Sequence, residues 1–416
     1  MMPADSLACC DNAGSRCACE EVRPADLAKA ADRMAGQAGF FERHLADRQT
    51  LFADISIRIS RADYDAMAVL VSAVENVARL PGFEKAVSQW APAALDSQRH
   101  GEGLFMGYDF HLTDDGPRLI EVNTNAGGAF LCALAAEAAC HCWDDQGPSE
   151  RFERAVILAF RREWWLSGPR GPLRRVAIVD DAPTTQVLLP EFKLAAAMLE
   201  RHGISVEIAD PFELRAAEGR LVGKAGPIDL VYNRSTDFDL SDDLHASLRW
   251  AYETGAALVS PSPRHHALLA HKRNLTLLSD PSMLRSLGAS DLDVTSLQLV
   301  PRTVSVRRED EDSLWASRKS LFFKPVASHA SKGVYRGEKL TRSAFAAVLD
   351  SGYVAQSYVP APERTVVVKG KEVRRKIDVR LYTHAGGVLL AAARLYQGQA
   401  TNMRTEGGGF APVFFG

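Results

Sequence analysis

The stretch Gly107-Tyr-Asp-Phe-His-Leu-Thr-Asp-Asp-Gly-Pro-Arg-Leu-Ile-Glu-Val-Asn-Thr-Asn125 reads as two short strands around a turn. Thr113 to Pro117 supplies the turn, because Gly116 can take the positive φ that a tight reversal requires. Pairing Leu112 with Arg118 carries the ladder on to Asp109 opposite Glu121 and Gly107 opposite Asn123, all on one face. Tyr108, Phe110, Ile120 and Val122 then form an apolar face for the core. The other face gathers two carboxylates and an amide oxygen, a hard donor set that suits Mg²⁺ beside phosphate oxygens. An opposed Asp and Glu also fits solvated edge residues. Like charges held side by side favour a cation between them.

The 416 residues, 46% of them hydrophobic, are enough for two or three domains with a substantial core. With 49 basic and 52 acidic side chains the net charge is −3, which gives no electrostatic footprint for nucleic acid. No run is long and apolar enough to span a bilayer, and the opening Met-Met-Pro-Ala-Asp lacks the order of a secretory signal, so a cytoplasmic location is expected. Cys9, Cys10, Cys17 and Cys19 crowd the start, and Cys132, Cys140 and Cys142 follow the hairpin. Neither group has zinc spacing, so they read as a reduced tail and as small core residues, with adventitious metal binding or redox sensing as the alternative.

Apolar periodicity predicts helices over 25–48, 63–80, 129–143 and 149–165, and the Ser167-Gly-Pro-Arg-Gly-Pro172 segment predicts a boundary. From Arg174 the pattern alternates strand and helix: Arg175–Val179, a helix near 188–202, Ser205–Ile208, then Ile228–Tyr232. That predicts a parallel sheet, but the turn after its first strand has no glycine fingerprint for a dinucleotide. Asn233 and Arg234 sit where such sheets present ligand contacts, although Arg234 reads equally as a surface ion-pair residue.

Gly-Tyr-Asp109, then Glu121-Val-Asn123 and the Gly127-Gly128 loop, resembles the last metal-binding hairpin of the ATP-grasp superfamily, in its glutathione synthetase-like carboxylate-amine or thiol ligases. That hairpin normally closes the domain, whereas here it comes early, and the other motifs follow it. His271-Lys272-Arg273-Asn274, in a helix expected over 266–279, resembles the element carrying the first phosphate-binding lysine; alone it reads as solvated surface. Leu321-Phe-Phe-Lys324-Pro325 and the small-residue loop to Gly333, including Ser331, resemble the second lysine and its phosphate-covering loop. Tyr353–Val359 resembles the adenine hinge, marking Gln356 and Tyr358 by position, with ordinary strand packing as the alternative. Glu363 is a candidate ribose partner. Lys376-Ile-Asp378-Val-Arg380 resembles the D-x-R strand, Arg394 lies on its antiparallel partner, and Asn402 opens a glycine-rich loop.

The resemblance implies an α/β ATP-grasp fold, circularly permuted, with a Rossmann-like domain in front of the ATP-binding part. The expected divisions are 1–60, a Cys-rich tail and helix; 61–170, the part with the hairpin; 173–263, the α/β domain; and 264–416, the ATP-binding part. It further implies ATP and Mg²⁺ as cofactors, with Asp109, Glu121 and Asn123 as metal ligands and Arg380 and Arg394 stabilising charge on a tetrahedral intermediate. The reaction implied joins a carboxylate to an amine or thiol through an acyl phosphate, on small-molecule or peptide substrates. A kinase acting on a hydroxyl and a nucleotide-binding protein without turnover are the alternatives. Substitutions Glu121→Gln and Asp109→Asn are both expected to remove turnover and leave the fold intact.

Overall fold

The computed structural model describes residues 19, 21–95, 101–140, 147–168, 171–326, 333–398 and 405–416. Ser331 and Asn402 lie outside them. The acidic hairpin forms as two strands, Met106–Thr113 and Gly116–Asn123, and Gly116 turns the chain at φ 93°. Asp109 faces Glu121 and Gly107 faces Asn123, as expected. Beyond Asp109 the register slips by one, so Leu112 pairs with Pro117 rather than Arg118, and Phe110 faces Leu119. This irregularity re-aims the side chains: Leu119 enters the core instead of Ile120, and Ile120 lines a cavity.

The hairpin is not at the margin of the fold. Its first strand pairs antiparallel with Lys371–His384, so Asp109 lies directly across from Arg380. Lys371–His384 in turn pairs with Gly387–Tyr396, which puts Asp378 opposite Arg394, and Gly409–Phe415 and Ile57–Ile59 complete that side of a seven-stranded sheet. The first and last parts of the chain thus meet in one sheet. Gly416 N donates to Ile59 O at 3.2 Å, and the Arg61 guanidinium sits 5.5 Å from the Phe415 ring centre.

The described residues also form two four-stranded sheets and one three-stranded sheet. Arg175–Val179, Ser205–Ala209, Leu230–Asn233 and Leu258–Ser260 form an all-parallel sheet, as the alternating pattern requires. Thr303–Ser305, Tyr353–Ser357, Leu321–Pro325 and Tyr335–Arg336 form an antiparallel one. Helix Ala129–Ala139 is apolar around its circumference and buried on every side but one residue, Glu137, as a core helix should be. Its N-cap, Gly128, has φ 101°, and a Cβ there would run into the Phe410 ring, so only glycine fits.

The other helices differ from expectation mainly at their ends. The first breaks at Gly36 into Pro24–Ala35 and Phe40–His44, because Gly36 and Gly39 both adopt positive φ. The helix expected over 266–279 does not run through: a π-turn over His266–Ala270 ends at His271, and Asn274–Leu278 restarts it. Lys272 is therefore on a turn. Among the described residues no single helix is long and apolar enough to cross a membrane.

Glu163, fully buried on helix Pro148–Leu166, connects distant parts of the fold. It accepts from the backbone N–H groups of Glu102 and Gly103 at 2.8 and 3.0 Å and from Ser260 Oγ at 2.5 Å, and His384 Nε2 lies 2.8 Å away. Burial alone would raise its pKa, but His384, through its hydrogen bond and charge, then His265 and the Ser260 hydroxyl hold the carboxyl at about 2, below its ordinary 4.5. A depressed carboxylate adds stability above its unfolded pKa and loses it as pH falls through the folded one. Melting temperature should therefore fall between pH 4.5 and about 2. Glu163→Gln should melt lower at neutral pH and show a shallower decline; parallel curves for the two proteins would refute this role.

Candidate active site

A cavity of about 430 Å³ opens between the acidic hairpin, the antiparallel sheet and the loops following the parallel sheet. Asp109, Glu121, Asn123, Lys272, Lys324, Gln356, Tyr358, Asp378, Arg380 and Arg394 all line it, so most residues marked from sequence come together. Gly333 is close by but contributes a carbonyl to Tyr353 Oη at 2.9 Å instead of lining the cavity. Glu363 is exposed, 3.3 Å from Arg374 across the strand pair, and is not part of the lining.

The centre of the site is a buried ion cluster that the sequence did not announce. Arg380 donates through Nε and Nη2 to both Asp109 oxygens at 2.6 and 2.7 Å. Arg394 donates to Asp378 at 2.7 and 2.9 Å and also to Asp109 Oδ2 at 2.7 Å. Burial would raise the pKa of Asp109, but the two guanidinium groups hold it well below the ordinary carboxylate range. The cation expected between the acids is thus, on the Asp109 side, a pair of arginines from the C-terminal strands.

Glu121 and Asn123 keep a different environment. Asn123 Nδ2 donates to Asp109 at 3.0 Å and to Glu121 at 3.3 Å, tying the three residues together. Among the described residues no arginine or lysine lies within salt-bridge distance of Glu121, and no cluster of three His, Cys, Asp or Glu is placed to hold a metal. The oxygen donors here that could hold a cation such as Mg²⁺, with water in its other positions, are the Glu121 carboxylate and the Asn123 amide oxygen. Asp109 is committed to the arginines.

Lys324 is buried at the end of its strand and donates to Ile120 O at 2.7 Å. That carbonyl belongs to the residue displaced by the register slip, so the hairpin's irregularity supplies the lysine's acceptor. Burial, with Lys272 adding repulsion, pushes the Lys324 pKa down to about 8 against the pull of Glu121. Burial lowers Lys272 as well.

Beside the lysines lies an apolar slot formed by Phe322, Val334 and Tyr358, with the Phe322 and Tyr358 rings stacked at 6.2 Å. Gln356 lines it, is 2% exposed, and its Nε2 has no protein acceptor among the described residues. A buried donor without an acceptor is costly unless a ligand supplies one.

Sequence reading missed several lining residues. His111 continues the Asp109 face at alternate spacing and contacts Val359 O through Nδ1 at 2.9 Å, so strand periodicity could have found it. Phe238 and His266 stack face to face at 4.2 Å, and Thr124 Oγ1 lies 3.1 Å from His266 Nδ1. Burial, then His271 and Lys272, hold His266 at about pKa 3, so its imidazole is neutral at pH 7. Phe238 lies in the loop after a parallel strand, where no sequence period marks it. Arg234 is buried rather than a surface ion-pair residue, donating to Ala126 O at 3.3 Å behind the Gly127 loop.

The structure revises the expectation that Asp109→Asn spares the fold. Removing this carboxylate leaves two buried guanidinium groups under-compensated, a loss of about 3–5 kcal/mol. Glu121→Gln should change stability by less than about 1 kcal/mol, because it removes no ion pair. Denaturant unfolding of both variants tests this, and equal stabilities would show that Asp109 does not anchor the arginines.

No protein-family model and no curated protein match the sequence. Solved structures do. A glutathione synthetase-like effector from Globodera pallida, in its apo form, aligns over 96% of this chain and 100% of its own, with 11% identity and a TM-score of 0.55. A putative gamma-glutamylcysteine synthetase from Methylobacillus flagellatus aligns over 84% of this chain and 87% of its own, at 12% identity and TM-score 0.47. The ATP-grasp ligase PsnB, complexed with minimal precursor, Mg and ADP, aligns over 57% and 88%, at 15% identity and TM-score 0.31. The chain shares its fold with the glutathione synthetase-like effector.

Proposed function

We propose that this chain is an ATP-dependent ligase that joins a carboxylate to an amine or thiol, releasing ADP and phosphate. The observation that carries the reading is the cavity itself: Lys272, Lys324, Arg380 and Arg394 line it together with Glu121 and Asn123, beside an apolar slot containing the unmatched Gln356 donor. Phosphoryl transfer requires mainly positioning and charge stabilisation, and these residues provide both. The slot formed by Phe322, Val334 and Tyr358 takes the base, and Gln356 offers it a hydrogen bond. Lys324 and Lys272 neutralise the phosphates. Glu121 and Asn123 would hold Mg²⁺, which supplies further charge neutralisation to the phosphate oxygens.

Arg394 and Arg380 use their Nε and Nη2 atoms on carboxylates within the protein. Held rigidly this way, they stabilise negative charge developing on the acyl group without reorganising. An acyl phosphate is the intermediate this reading implies. The order of the chain is a circular permutation of the superfamily's, a reading supported by the neighbouring positions of Gly416 and Ile59.

An ADP-release screen with pooled carboxylates and amines tests the ligase reading. Hydroxylamine should trap an acyl hydroxamate with the right carboxylate; phosphorylation of a hydroxyl without any trap would favour a kinase, and ATP binding without ADP release would favour a non-catalytic role. Lys324→Met should weaken ATP binding by at least tenfold, the equivalent of about 1.5–3 kcal/mol for a charge-assisted contact. Lys332, in the small-residue loop before Gly333 and outside the described residues, should matter less when changed to Met, and equal affinities would point to the wrong lysine.

A pH dependence follows. A phosphate ligand prefers the protonated lysine, and Lys324 loses its proton near pH 8 in the free protein. ATP affinity should therefore be flat below pH 8 and fall above it. Lys324→Arg, charged throughout, should flatten that fall. Titration calorimetry across pH 7 to about 9.5 decides it.

A further inference from the structure

Cys19 and Cys140 are 121 positions apart, yet their sulfurs lie 2.6 Å from each other. Both side chains are buried. Each is held by backbone pairing as well as by packing. On the first side, Ser56 Oγ donates to Cys19 O at 2.5 Å, Glu21 bridges Ile55, and Val22 N donates to Asp54 O at 2.9 Å, so the segment runs antiparallel to residues 54–56. On the other, Cys140 caps the C-terminal end of helix Ala129–Ala139, its N–H donating to Ala136 O at 3.2 Å. A disulfide bond is ~2.05 Å long, so a movement of about half an ångström joins the two sulfurs. Cys132, on the same helix, is also buried, and burial drives its thiol pKa far up, leaving it protonated and unreactive.

We propose that Cys19 and Cys140 form a disulfide that ties the amino-terminal segment to the end of the Ala-rich helix. The oxidant is a low-molecular-weight disulfide. One protein thiolate attacks a sulfur of that disulfide and expels one small thiol, giving a mixed disulfide. The second protein thiolate then attacks the protein sulfur of the mixed disulfide and expels the second small thiol. Two protein thiols are oxidised and one small disulfide is reduced to two thiols, which take up the two protons that the protein thiols give up. Because both sulfurs are buried once the segment is docked, exchange takes place as it docks.

The ring so closed contains the Ile57–Ile59 strand, the Arg61–Ala78 helix and the whole acidic hairpin. A closure of that length strongly restricts the unfolded chain. It also fixes the far end of the helix whose first turn, at Gly128, borders the cavity through Gly127. The inference does not depend on the ligase reading.

The test equilibrates the full chain with glutathione disulfide, alkylates it under denaturing conditions and measures its intact mass. A fragmentation map of the tryptic peptides should place a cross-link between Cys19 and Cys140, distinguishing them from Cys17, Cys132 and Cys142. Dithiothreitol should lower the melting temperature of the cross-linked protein by several degrees, whereas Cys132→Ser should retain both the cross-link and the drop. Cys140→Ser should lose both. Full alkylation of Cys19 and Cys140, a bond to a different cysteine, or a melting temperature indifferent to reductant would each overturn the proposal.

Discussion

Asp109 meeting Arg380 and Arg394 in the interior is the interaction on which the rest of the site depends. Three chain segments, remote in sequence, are brought together by it: the hairpin, the Lys371–His384 strand and the Gly387–Tyr396 strand. Taking four charged side chains out of water is costly, and they recover that cost only by satisfying one another with short, two-pronged hydrogen bonds. Across the sheet the order of charge is Glu121, Asp109, Arg380 along one row and Asp378, Arg394 along the next, so each acid except Glu121 faces a base. Glu121 is left over. Its charge is not cancelled by a facing base, and Lys324 and Lys272 lie close enough to feel it.

This arrangement explains what could and could not be read from sequence. The hairpin, its turn and the pairing of Asp109 with Glu121 were legible because strand periodicity and one glycine determine them locally. The candidate residues that meet in the cavity could be marked because each sat in a short motif with a recognisable neighbour, but the same marking also chose Gly333 and Glu363, which do not line it. The division of labour among them was not. Nothing in Gly-Tyr-Asp109 distinguishes a carboxylate that ligates metal from one that holds two arginines, because the difference lies in which strand docks alongside, some 271 positions away. The Leu119 and Ile120 exchange was hidden for a related reason: alternation assumes an unbroken ladder, and one slipped residue inverts every assignment beyond it.

The same contrast holds at the first lysine. Apolar spacing over His266–Ser279 is genuinely helical, and helices form on both sides of His271. The stacking of Phe238 on His266 and of Trp90 against His271 fixes rings at that position, and a wide turn there is compatible with them where a straight helix was expected. Tertiary packing thus overrides the local pattern and presents Lys272 from a turn into the cavity. Such single wide turns recur where a helix is bent to serve a site.

The slipped register of the hairpin also bears on how this site can vary. Lys324 is held by the main-chain oxygen of residue 120, and every amino acid carries that oxygen. No side-chain replacement at position 120 deletes the acceptor; it can change only the cavity wall that the side chain forms. Gaining or losing a residue in the hairpin is another matter, since that would shift the carbonyl away and turn the wall side chain into the core. The position is thus permissive to exchange and intolerant of a change in length.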